Sequence, residues 1–104
     1  MRQFSHYNAA RIFEDGARIL QFDPAKAEKC FSTVIQIEPD NPYGYVYLLF
    51  ALEDLGAPLG KLLSICNKFV EVAHKKSIHG LEGISKEMMV NYLFKAEKMG
   101  LRVR

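Results

Sequence analysis

Residues 24–58 read PAKAEKCFSTVIQIEPDNPYGYVYLLFALEDLGAP. Two helices and the joint between them are legible in this stretch. Asp23, just before it, is a good N-cap, and Pro24 suits the first helical position, where a missing N–H costs nothing. Ala27, Cys30, Phe31, Val34 and Ile35 then recur at helical spacing, which predicts a helix from Pro24 to about Ile37. Glu38-Pro39-Asp40-Asn41-Pro42 ends it, because a residue before proline is pushed out of the α region. The next helix starts at Asn41-Pro42 and runs to about Leu55. Tyr43, Tyr45 and Tyr47 alternate as a strand would. The apolar run, however, continues through Leu48, Leu49, Phe50, Ala51 and Leu52 to Leu55, which is long for one strand, and meets Gly56, a plausible helix-ending glycine. A helix this apolar on nearly all sides belongs between neighbours.

The same periodicity extends outward. Ala9, Ile12, Phe13, Gly16, Ala17 and Leu20 share one face of a first helix over about Ser5–Gln21. A fourth helix starts near Pro58, with Leu59, Leu62, Leu63, Cys66, Phe69, Val70 and Ala73 as its stripe. His74, Lys75 and Lys76 close it, where cations suit the helix dipole. Gly80 and Gly83 predict a loop over 77–84. A last helix runs from Ser85 to about Met99, with Met89, Tyr92, Leu93 and Ala96 inward and Gly100 at its end. The expected fold is all-α, with about five helices in a single domain spanning 1–104. Two tandem antiparallel hairpins (about 8–41 and 42–75) are followed by a C-terminal capping helix at about 85–99.

A chain of 104 residues supports one core. The formal charge of +2 is too small to argue for nucleic acid, but its distribution is uneven. Residues 1–60 carry 5 Lys/Arg and 8 Asp/Glu, and residues 61–104 carry 9 Lys/Arg and 4 Glu. No aromatic–basic interleaving accompanies Lys61, Lys68, Lys75, Lys76 or the Arg102–Arg104 tail, so nucleic acid is not the expected partner. The two cysteines, Cys30 and Cys66, sit in apolar stripes and read as small core residues rather than a disulfide scaffold. A cytoplasmic, reducing location is the default. Met1 to Asn8 carries no apolar signal-peptide core. The longest apolar run, Val46 to Leu52, falls far short of the roughly 20 residues a membrane span takes.

Pro24 and Pro58 are 34 residues apart, and the same offset pairs Ile12 with Val46, Phe13 with Tyr47, Ala17 with Ala51, Phe31 with Ile65 and Ile35 with Phe69. A 34-residue helix–turn–helix period resembles the tetratricopeptide repeat. Within Ala25–Gly56, Ala27 matches the family's small residue at the helix crossing and Phe31 the aromatic one turn later. Pro39 matches the repeat-closing proline, Tyr45 the large aromatic of the next repeat, Leu48 its leucine and Gly56 the glycine of the turn. Arg11, Asp15, Leu49, Lys61 and Ala73 depart from the pattern. The resemblance covers about residues 8–73, and a third unit does not follow, since another 34 residues place the proline at Tyr92.

The resemblance implies binding rather than catalysis. The family presents a groove lined by the first helix of each repeat, which by position would comprise Ala9, Ile12, Gly16, Ile19, Tyr43, Val46, Phe50 and Glu53. This lining is mostly apolar and lacks the Lys, Arg and Asn that clamp a peptide carboxylate. It suits a hydrophobic or amphipathic peptide or helix, in an adaptor or chaperone-like role. The alternative is a structural subunit whose apolar surface is permanently covered. Stacked repeats need about three units for stability, so two units and one helix predict self-association or marginal stability.

No catalytic motif is present and no cofactor is expected. The adjacent carboxylates Glu14-Asp15 and Glu53-Asp54 point apart on a helix and read as solvated charge. Cys30 and Cys66 with His74 and His79 lack the short ligand spacings of a zinc site, so no metal is expected. Met88, Met89 and Met99 suit adaptable apolar contacts in the last helix, which either caps the core or docks reversibly.

Overall fold

The computed structural model describes residues 6–100. The basic tail at 101–104 and the start of the first predicted helix lie outside that range. Five α-helices and no strand occur among the described residues: α1 (His6–Ile19), α2 (Pro24–Ile37), α3 (Pro42–Asp54), α4 (Leu59–Lys76) and α5 (His79–Lys98).

The capping chemistry sets most boundaries. Asp23 accepts a hydrogen bond from the Lys26 N–H at 3.1 Å, and Asn41 accepts one from the Tyr43 N–H at 3.0 Å, each just ahead of a first-turn proline. At the end of α3, Gly56 takes φ +71, donating its N–H to the Glu53 carbonyl while Ala57 donates to that of Leu52. This paired arrangement caps the last free carbonyls of α3. The Tyr45 hydroxyl donates to the Pro39 carbonyl at 2.8 Å and ties the α2–α3 turn to α3. The alternating tyrosines are therefore helical, with Tyr45 buried and Tyr43 exposed.

The expected loop over 77–84 is corrected. Only Ser77 and Ile78 separate α4 from α5, and Gly80 and Gly83 lie inside α5. Both glycines are exposed, so they weaken the helix without breaking it. Leu81 and Ser85, at 8% and 0% exposure, anchor this first part of α5 on the core. The chain reverses instead at Ser77, which adopts the left-handed conformation at φ 55.

Each helix packs against its neighbours in the chain. Side chains also join alternate helices: the Phe13 (α1) and Tyr47 (α3) rings lie 4.8 Å apart, Tyr92 (α5) hydrogen-bonds Glu53 (α3), and Lys61 (α4) approaches Glu28 (α2) at 3.7 Å. The odd-numbered helices thus form one layer and the even-numbered ones the other. Ala27, Phe31, Leu49, Leu52, Cys66, Phe69 and Tyr92 belong to the single core between them. The radius of gyration, 14.1 Å, exceeds the roughly 13 Å of a compact domain this size, as a row of helices requires.

The buried positions repeat at a different spacing from the prolines. Ala27 and Leu62, Phe31 and Cys66, and Val34 and Phe69 are all buried, each pair 35 residues apart. Pro24 opens α2 from inside the helix, whereas Pro58 stands one position before α4. The two prolines therefore occupy non-equivalent helical positions.

Candidate partner-binding surface

The eight residues expected to line a groove divide into two groups. Ala9 (1% exposed), Gly16 and Val46 (5%) are buried in helix interfaces, and of the three only Ala9 borders an open cleft. Gly16 shows how tight such burial is. A Cβ there would stand 2.9 Å from both the Cys30 Cβ and the Phe31 Cε1, so α1 and α2 are in close contact at this crossing. The smallest residue sits at the crossing, one position after Asp15, where the repeat pattern places it. Assigning groove positions by a fixed offset therefore carries interior residues onto the surface.

The second group keeps surface. Tyr43 (45%) and Phe50 (39%) are exposed on α3, a helix whose other apolar residues are buried or half-buried between α2 and α4, and Ile12 and Ile19 are half-buried on α1. Glu53 is exposed, but its carboxylate accepts the Tyr92 hydroxyl. Burial, with that carboxylate beside it, pushes the Tyr92 phenol well above its ordinary value.

Two residues absent from the sequence-based set join these. Phe13 and Tyr47 meet edge to face across α1 and α3, Tyr47 continues to Phe50 at 5.5 Å, and Phe31 closes the cluster from beneath at 5.6 and 5.5 Å. Tyr43, Tyr47 and Phe50 are spaced four and three residues apart, so they follow one face of α3. That spacing was visible in the sequence; their partner across the interface was not. Beside this row, a cleft of about 370 Å³ opens between the start of α1 and the α2–α3 turn, bounded by Ala9, Ala10, Phe13, Tyr43, Asn41, Glu14 and Glu38. An apolar floor with two carboxylates at its rim fits a peptide or helix that carries both apolar and basic groups.

Two further charged pairs tie polar residues to their neighbours. Asp15 pairs with Arg18 at 2.5 Å, and His74 Nδ1 lies 2.6 Å from the Glu82 carboxylate. Cys30 and Cys66 are free thiols. Burial raises the pKa of both, and that of Cys66 reaches about 11 with Glu53 adding to the effect. Among the described residues, no three His, Cys, Asp or Glu side chains are grouped to hold a metal ion, and no helix is long and apolar enough to cross a membrane.

No protein-family model, curated protein or solved structure matches this chain.

Proposed function

We propose that the protein is a protein–protein interaction module, adaptor or chaperone-like, that holds an amphipathic helix or peptide against α1 and α3 in the manner of a tetratricopeptide-like groove. One observation carries the proposal: α3 is surrounded by neighbours yet leaves Tyr43 and Phe50 exposed, continuous with the Phe13–Tyr47 stack. Aromatic anchors of this kind supply most of the energy at interfaces. Catalysis plays no part in this proposal, and a cytoplasmic location goes with it. The test is affinity capture from native cells with Phe50→Glu and Tyr43→Lys variants. Both residues are substantially exposed, so both variants should keep the wild-type circular dichroism spectrum and lose the captured partner. Retained capture by the folded variants would refute the groove assignment.

A structural-subunit role is favoured by a separate feature. The outer side of α5 exposes Val90 at 62% and Phe94 at 59%, an apolar pair suited to permanent cover by another subunit.

A further inference from the structure

We infer that α5 is a homodimerisation helix whose outer face packs antiparallel on α5 of a second copy. This inference goes beyond the proposed groove and is independent of it.

Leu81, Ser85, Tyr92 and Ala96 are the buried residues of α5, and among the other helices α5 packs chiefly on α4. At about 100° per residue, Val90 and Phe94 fall on the opposite side, one turn apart. Both are more than half exposed. Lys86 and Glu97 lie roughly 40–60° to one side of this apolar pair, and Glu87 and Lys98 lie as far to the other. The Lys98 Nζ stands 5.3 Å from the Phe94 ring centroid, at the edge of the same patch. Glu87 and Glu97 have no ion-pair partner among the described residues.

These six residues are arranged symmetrically about the level of residue 92. Val90 and Phe94 are two residues either side of it. Lys86 and Glu97 are six before and five after, and Glu87 and Lys98 five before and six after. A two-fold axis at that level, perpendicular to α5, sets Val90 of one copy against Phe94 of the other. Along one flank it sets Lys86 beside Glu97 of the second copy, and along the other Glu87 beside Lys98, each within one residue's rise of about 1.5 Å. All four pairs across the dimer are of opposite sign. The face is therefore complementary to itself, as an isologous interface requires.

A parallel pair would also oppose unlike charges, joining Lys86 to Glu87 and Glu97 to Lys98. It would, however, align the two helix dipoles and stack Phe94 on Phe94. The antiparallel pair opposes the dipoles and matches a large side chain to a small one. One helix face of about 30 Å is at the small end of specific interfaces, so the dimer is reversible, with a dissociation constant on the order of micromolar.

Sedimentation equilibrium from low micromolar to a few hundred micromolar, with circular dichroism as the folding control, tests the inference. Wild type should pass from monomer to dimer, and Phe94→Glu should stay folded and monomeric. Glu87→Lys should weaken the dimer roughly tenfold, since the two-fold doubles the effect. Glu87→Lys combined with Lys98→Glu should restore it. Restoration by Glu87→Lys with Lys86→Glu instead would overturn the antiparallel arrangement. A wild-type monomer throughout, or a dimer unaffected by folded Phe94→Glu, would overturn the interface itself.

Discussion

Gly16 brings the backbone of α1 onto the ring of Phe31: a Cβ at position 16 would lie 2.9 Å from the Phe31 Cε1 and equally close to the Cys30 Cβ. Neither neighbour can swing aside, because Phe31 is fully buried and packed against Phe13 and Tyr47, and a Cβ is fixed to its own backbone. Alanine in place of glycine inside a helix ordinarily stabilises by up to about 1 kcal/mol. Overpacking a tight core costs about 1–3 kcal/mol, which outweighs it. Gly16→Ala should therefore lower stability by about 1–2 kcal/mol in urea denaturation. An unchanged or higher midpoint would mean that α1 and α2 do not cross there.

Ser77 holds the opposite kind of strain. It ends α4 at φ 55, ψ 38, a conformation that disfavours residues bearing a Cβ. Its hydroxyl reaches the His74 carbonyl only at 3.4 Å, a weak compensation. Ser77→Gly should raise stability by about 0.5–1 kcal/mol in the same assay, offset in part by the greater freedom of glycine in the unfolded chain. A loss on substitution would show that the turn does not need the left-handed conformation.

These two positions also mark where the sequence was and was not transparent. The α2 helix was readable to its ends, because Asp23, Pro24 and Pro39 each act locally. The start of α5 was not. Gly80 and Gly83 are locally unfavourable to helix, and the burial of Leu81 and Ser85 that overrides them is a tertiary effect. The prolines gave a 34-residue period, whereas the buried positions of α2 and α4 repeat at 35, because a proline can stand on either side of a helix start. On α1 and α3 the packing of neighbouring helices, which no fixed offset records, decides which positions face out. Tyr43 and Phe50 remained outside, while Ala9, Gly16 and Val46 fell in the interior. The outward position of Val90 and Phe94 was open to view, since neither lies on the stripe of Met89, Tyr92, Leu93 and Ala96.

Tyr92 and Glu53 join the last helix to the middle of the row. The tyrosine ring is 3% exposed and its hydroxyl donates to a carboxylate that also reaches solvent. A hydrogen bond to a charged group contributes about 1.5–3 kcal/mol, and rehydration of the exposed Glu53 carboxylate recovers part of it. Tyr92→Phe keeps the packing, so the expected loss is about 1 kcal/mol, or a fall in melting temperature of roughly 4–8 °C. Hydrogen exchange should show the loss concentrated in α5. A uniform change across all five helices would argue that the bond does not act as a local tie.

Cys66 gives the fold an alkaline limit. Its thiol is wholly buried, and burial together with Glu53 raises its pKa from 9.0 to about 11. The folded state therefore holds this proton more tightly than the unfolded chain does. The associated stability is present in full below pH 9 and disappears as pH climbs through about 11. Between pH 9 and 10 the loss should be roughly 1 kcal/mol, as the unfolded thiol ionises and the folded one does not. The Tyr92 phenol, also raised, adds a further decline as pH passes through its ordinary value of 10.0. Cys66→Ala should be less stable at pH 7 because it leaves a small void, yet lose less stability than wild type between pH 9 and 10, the remaining decline coming from Cys30, whose thiol burial also raises. Chemical denaturation at closely spaced pH values measures both slopes. Equal slopes in the two proteins over that interval would show that Cys66 does not hold its proton in the folded state.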